Sequence, residues 1–148
     1  MYVAPLSGDN GMSPELDAEL RANYPLIFVV ERVADLDDFG IPALQRPFAH
    51  RGFECGDGWY DLIDVLCLQL QAATKNGAPQ LVVTQVKEKF GRLRFYTCGQ
   101  NDEQEGMIGL AEAISARLCE VCGNRGRIVE DRWLRTRCPE HAQCVFRS

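Results

Sequence analysis

Leu81-Val82-Val83-Thr84-Gln85-Val86-Lys87-Glu88-Lys89-Phe90-Gly91-Arg92-Leu93-Arg94-Phe95-Tyr96-Thr97 decides the fold class. Its first six residues, 81–86, are short and rich in β-branched side chains, and Leu93, Phe95 and Thr97 alternate with Arg94 and Tyr96. That pattern predicts an antiparallel hairpin turning around Lys89-Phe90-Gly91, with one face in the core and the other in water. The segments on either side have a different period. Trp59, Leu62, Ile63, Leu66 and Leu70 recur at helical spacing to about Thr74, behind Asp57 as a candidate cap and ahead of the stop Lys75-Asn76-Gly77. Met107, Ala111, Ile114 and Leu118 form a second helical stripe. The expected fold is therefore α+β, two amphipathic helices on a small antiparallel sheet.

Working outward, Ser13-Pro14-Glu15 is a helix start, with Ser13 placed to cap, Leu16 and Leu20 as the apolar edge and Pro25 as the stop. From Glu31 to Gly52 no period holds, and Gly40, Pro42 and Pro47 punctuate an irregular acidic loop. Toward the other end, Arg127-Ile128-Val129 and Trp133-Leu134-Arg135 flank Glu130-Asp131 as a small hairpin. The expected divisions are an acidic N-terminal region over 1–52, an α+β core over 53–118 and a zinc-ribbon lobe over 119–148, all in one unit. A chain of 148 residues fits one ordinary domain.

The C-terminal lobe carries the most specific motif. Cys119-x2-Cys122, fifteen intervening residues and Cys138-x2-His141 match the spacing of a zinc ribbon. Two-residue gaps let both side chains of a pair face one ion, and thiolate sulfur with imidazole nitrogen suits Zn²⁺. Four protein ligands leave no position for water or substrate, so one structural zinc is expected, a clamp and not a reaction centre. Cys144 is an alternative fourth ligand, though only His141 keeps the two-residue spacing.

Four of the seven cysteines fall in the last 30 residues, and the first ten lack the basic start and apolar centre of an export signal. A disulfide framework is then a poor account, and a cytoplasmic location with no membrane span is expected. Charge is uneven: residues 1–50 hold eight acids against Arg21, Arg32 and Arg46, which accounts for the whole net charge of −5. Lys87, Lys89, Arg92 and Arg94 surround one acid, and Arg117, Arg125, Arg127, Arg132, Arg135 and Arg137 outnumber three. Overall acidity argues against a generic nucleic-acid coat but leaves room for local basic patches.

Weaker constellations read more simply as structure. His50, Cys55 and Asp57 hold the parts of a nucleophilic site, but no activated-nucleophile motif accompanies them, so a cysteine- or metal-dependent hydrolase around Cys55 and Asp57 stands third among the functional readings. Asp57, Asp61 and Asp64 on one helical face could bind a divalent cation or serve general acid–base catalysis, and fit more simply a solvated acidic start favoured by the helix dipole. Cys67 and Cys98 read as small core hydrophobes.

Phe53-Glu54-Cys55-Gly56-Asp57-Gly58-Trp59-Tyr60-Asp61-Leu62-Ile63-Asp64, the Lys87 to Tyr96 segment and the Cys119 to His141 motif together resemble a group of short bacterial, phage and prophage proteins. The likeness covers about residues 53–142. It implies a mobile-element setting and a zinc ribbon, and carries no catalytic residues. Small proteins of such neighbourhoods often silence a toxin or a defence system, so the leading expectation is a non-catalytic, protein-binding antagonist, an immunity or anti-defence protein. Its acidic residues Asp35, Asp37 and Asp38 would cover a basic site on a nucleic-acid-handling partner. The alternative is a nucleic-acid-binding accessory protein using Lys87, Lys89, Arg92 and Arg94 of the hairpin with Arg125, Arg127, Arg132, Arg135 and Arg137 of the ribbon.

Overall fold

The central hairpin forms as its alternation predicts. In the computed structural model, which describes residues 11–29, 48, 52–130 and 132–143, β2 (Val82–Lys89) pairs antiparallel with β3 (Arg92–Cys98). The turn is Phe90 and Gly91, whose φ values of 54° and 81° are both left-handed, as a two-residue type I′ hairpin turn requires. A register irregularity between Val83 and Gln85 lets Val83 and Val86 both face inward, where they are buried with Leu93 and Phe95. A third strand, β1 (Phe53–Glu54), joins β2 in parallel with Phe53 opposite Val86. The sheet is thus mixed, in the order β1-β2-β3, where the sequence indicated a hairpin alone. Two residues are too few for alternation to register.

Among the described residues, three helices of eight residues or more accompany this sheet: α1 (Pro14–Asn23), α2 (Tyr60–Lys75) and α3 (Asp102–Ser115). α2 buries Ile63, Leu66, Cys67 and Leu70, the stripe its periodicity predicts. Phe28, Phe48 and Phe53 cluster with ring centroids 5.0–5.1 Å apart, and the Val83 N–H donates to the Ile27 carbonyl at 3.0 Å, closing the segment after α1 onto β2. Each aromatic contact of this kind adds about 0.5–1.5 kcal/mol beyond area burial.

α3 keeps part of its expected face, since Ala111 is buried and Met107 and Leu118 pack against the core, but it differs at Ile114 and in length. It ends at Ser115 and buries Gln104, Ile108, Ala111 and Ser115, while Ile114 is exposed and Leu118 lies beyond the helix, bridged to Arg125. The polar members of that face have work to do on the edge of β3. Ser115 Oγ accepts the Leu93 N–H and Glu112 Oε2 accepts the Phe95 N–H, each at 2.9 Å, so α3 covers an edge strand that would otherwise present open donors. Asn101 and Gln104 start the helix with a reciprocal capping box.

Two expected caps are absent. Ser13 makes no side-chain cap; its backbone N–H instead donates to Asp57 Oδ1 at 2.7 Å. Asp57 opens a 3₁₀ turn (Asp57–Trp59) ahead of α2, so its carboxylate ties α1 to that turn and does not cap α2. Cys98 is exposed, contrary to the core position expected of it, because it falls on the outward side of the β3 alternation; Cys67 is buried as expected. After α3 come β4 (Arg127–Glu130), β5 (Leu134–Arg137) and the short α4 (Pro139–Gln143). No helix among the described residues is long and apolar enough to cross a membrane.

Candidate metal centre and cationic surfaces

The ligand pairs predicted from spacing converge. The sulfur atoms of Cys119, Cys122 and Cys138 and a ring nitrogen of His141 all lie within 4.8 Å of one another, and this group could hold a metal ion. His141 Nδ1 stands 3.1 Å from Cys138 Sγ and 3.5 Å from Cys119 Sγ, and Cys122 Sγ is 3.7 Å from Cys138 Sγ. No described cysteine is in a disulfide. The first pair sits on a tight knuckle: the Gly123 N–H donates to the Cys119 carbonyl at 2.8 Å and Gly123 adopts φ 79°. The second pair is built differently from the expected knuckle. Cys138 precedes α4 and His141 lies on its first turn, with the Ala142 N–H bonded to the Cys138 carbonyl. Cys144 lies outside the described residues.

Electrostatics around the sulfurs favour ligation by Cys119. Burial opposes its thiolate, but backbone N–H groups of Cys138, Cys122 and Val121 and the Cys122 side chain outweigh it and bring the pKa down to about 6. Partial desolvation and the neighbouring Cys138 and Cys119 sulfurs push Cys122 up, against the lowering effect of the Asn124 backbone. A metal ion would remove this competition by taking all three sulfurs as thiolates.

The knuckle is seated on the Gly56-Asp57-Gly58-Trp59 turn. The Gly58 N–H donates to the Glu120 carbonyl at 2.8 Å, the Gly56 N–H to Glu120 Oε2 at 3.0 Å, and Trp59 Nε1 to the Leu118 carbonyl at 2.9 Å. A Cβ at Gly58 would stand 2.1 Å from the Cys119 carbonyl oxygen, and one at Gly56 would stand 2.4 Å from that of Glu120. Both positions need glycine because backbone meets backbone there. From the other side Arg137 Nη1 donates to Glu120 Oε1 at 3.1 Å, the Glu120 N–H donates to the Thr136 carbonyl, and Thr136 Oγ1 donates to the Gly91 carbonyl at 2.5 Å. The Glu120 and Arg137 side chains are both buried. Sequence reading missed Glu120 entirely, since an acid inside a ligand knuckle carries no local signal of its partner.

The other sequence candidates separate. Cys55 is fully buried, and burial followed by the Glu120 and Asp57 charges drives its thiol well above the ordinary range, the wrong state for a nucleophile. His50, Asp35, Asp37 and Asp38 lie outside the described residues. Asp57 is not on α2, and Asp64 accepts the Tyr24 hydroxyl at 2.6 Å, so Asp57, Asp61 and Asp64 do not form one helical face.

The cations fall into two groups. On the outward face of the hairpin Lys87 stands directly opposite Arg94 and Lys89 directly opposite Arg92. Glu54 borders this face opposite Lys87, and Glu112 lies 4.0 Å from Arg94; Lys89 and Arg92 have no acidic partner among the described residues. Glu88 alternates to the other side, toward Glu120, Arg135 and Arg137. Lys89 Nζ lies 5.6 Å from the centroid of Phe90, which is exposed at the hairpin tip, and Lys87 Nζ lies 5.8 Å from that of exposed Tyr96. The second group, in the ribbon, comprises Arg125, Arg127, Arg132 and Arg135 together with Arg117, which the sequence reading did not assign to a site; Arg137 is withdrawn into its buried pair with Glu120. The chain matches no family model, no curated protein and no solved structure.

Proposed function

We propose that this protein is a non-catalytic nucleic-acid-binding accessory module, held in shape by one structural zinc ion. The zinc assignment is supported by the donor set and its spacing. Tetrahedral Zn²⁺ with bonds of about 2.3 Å to sulfur and about 2.0–2.1 Å to nitrogen sets sulfur–sulfur edges of about 3.8 Å and sulfur–nitrogen edges of about 3.5 Å. The 3.7 and 3.5 Å separations here match that geometry, and the 3.1 Å between Cys138 Sγ and His141 Nδ1 would open by about 0.4 Å around the ion. Four protein donors make the ion a clamp, with nothing open to a substrate.

The single observation that carries the binding reading is the hairpin ladder of Lys87 against Arg94 and Lys89 against Arg92. Like charges directly opposite each other on a sheet destabilise it, by up to the roughly 0.2–1 kcal/mol scale of such pairs. Two in succession, without an acidic partner at Lys89 and Arg92 among the described residues, would be relieved by a bound polyanion. Phe90 and Tyr96 add stacking surface between those cations, the combination that holds unpaired bases over a phosphate backbone. Metal-loaded protein should shift labelled single-stranded oligonucleotide at low salt and bind duplex less tightly. No shift with either at low salt removes this reading.

A second reading, the protein-binding antagonist of a toxin or defence protein, rests on the acid excess of residues 1–50. There, charge reversal of Asp35, Asp37 and Asp38 should weaken a captured protein partner at least tenfold; unchanged affinity excludes that loop as the contact.

A further inference from the structure

A separate cluster of cations surrounds Gly126, away from the hairpin ladder. Arg125 and Arg127 flank it in sequence, its N–H donates to the Arg117 carbonyl at 2.8 Å, and a Cβ there would stand 2.9 Å from the Arg137 backbone. Arg127 also faces Arg137 directly across the β4–β5 pair. Four arginine backbones therefore meet at one glycine, and a larger residue would force them apart.

These four arginines line one open groove of about 610 Å³, with no acid among its described lining residues and with Val129 and Pro139 completing the walls. Arg137 is neutralised by Glu120 at 3.1 Å, whereas Arg117, Arg125 and Arg127 have no acidic partner among the described residues. Cys138 also lines the groove, so the metal centre contributes charge. Three thiolates and a neutral imidazole around a divalent ion leave a net −1, and the three unpaired guanidiniums exceed it. The volume lies within the roughly 300–1,000 Å³ range of small-ligand sites. A groove of this size with several fork-shaped cationic donors and no carboxylate among its described lining residues matches an anion that accepts at more than one oxygen.

We propose that this groove is a phosphate-binding site, in which Arg117, Arg125 and Arg127 hold the phosphate groups of a nucleotide-sized ligand or of a nucleic-acid backbone. It stands apart from the hairpin reading, because a free phosphate ligand would occupy it whether or not the ladder binds nucleic acid.

The test uses metal-loaded full-length protein, with inorganic pyrophosphate followed by calorimetry and a labelled oligothymidylate followed by anisotropy. Arg125→Ala/Arg127→Ala changes the groove, and Lys89→Ala/Arg92→Ala changes the ladder; all four side chains are exposed, and zinc content and melting temperature verify that each variant is folded. Pyrophosphate should bind, and the groove variant should weaken it about tenfold or more, the loss expected from charge-assisted hydrogen bonds. If the groove variant also weakens the oligonucleotide and pyrophosphate competes with it, the phosphates are those of the backbone. If the oligonucleotide is indifferent, the site serves a free phosphate ligand. Pyrophosphate binding that is absent, or equal in wild type and groove variant, overturns the proposal; oligonucleotide binding lost only in the ladder variant would then leave the hairpin reading standing.

Discussion

Glu120 and Arg137 form a buried ion pair, Oε1 to Nη1 at 3.1 Å, that joins the first metal knuckle to the last ribbon strand. The second carboxylate oxygen of Glu120 takes the Gly56 N–H at 3.0 Å, so one side chain ties together the knuckle, β5 and the turn before α2. The knuckle is thereby bonded both to its own ribbon strand and to the turn that precedes α2.

Removing one partner of such a pair leaves a buried charge without compensation. Glu120→Ala should cost about 3–5 kcal/mol. Chemical denaturation measures it, and Glu120→Gln, which keeps acceptor and shape, should fall between wild type and alanine. A loss under about 1 kcal/mol for Glu120→Ala would show that the pair is dispensable.

Metal loss should reach the core through Trp59. Structural zinc contributes about 10–16 kcal/mol in isolated finger peptides, comparable to or larger than a domain's net stability of about 5–15 kcal/mol. Trp59 is buried and bonded to the Leu118 carbonyl beside the knuckle, while Trp133 is exposed. In a Trp133→Phe background, chelation or Cys122→Ser should shift the Trp59 emission to longer wavelength and abolish stoichiometric zinc. An unchanged spectrum after metal removal would contradict the coupling of knuckle and turn.

Tyr24 sets an alkaline limit. Its hydroxyl donates to Asp64 Oδ1 at 2.6 Å and to the Asp64 carbonyl at 3.0 Å, and burial first, then the Asp64 carboxylate, raises its pKa well above the ordinary value of about 10. Below about pH 10 the hydroxyl is protonated in both states and its contribution, about 1.5–3 kcal/mol for a bond to a charged group, is fully present. Above that pH the unfolded chain releases the proton while the folded chain retains it, so stability falls as pH rises toward the folded pKa. The stability gap between wild type and Tyr24→Phe should therefore be constant from neutral pH to about pH 10 and shrink beyond it; a constant gap throughout would refute the assignment.

Features with local causes were legible in the chain. The Cys119 to His141 spacing, the α2 stripe and the Phe90-Gly91 turn each depend on residues near one another in sequence, and each formed. The α3 face was legible only in part: Met107, Ala111 and Leu118 meet the core, but its buried members also include Gln104 and Ser115, whose polarity is spent on a cap and on the β3 edge. The capping box was present in Asn101-x2-Gln104 and could have been found by its spacing. Cys98 was misplaced by the general tendency of cysteine to be buried, although the alternation with Leu93 and Phe95 already put it outside. The parallel pairing of β1, the Asp57 contact with Ser13 and the Glu120 network join residues 33, 44 and 16 or more positions apart, where no local pattern operates.

The most direct test of the binding account is the salt dependence of oligothymidylate affinity. Neutralising four phosphates of a single strand with Lys87, Lys89, Arg92 and Arg94 predicts a slope of log affinity against log salt of about −3. Lys89→Ala/Arg92→Ala should make that slope shallower by about 1.4, since two contacts are removed. Absence of binding at low salt, or an identical slope in the double variant, would contradict the account.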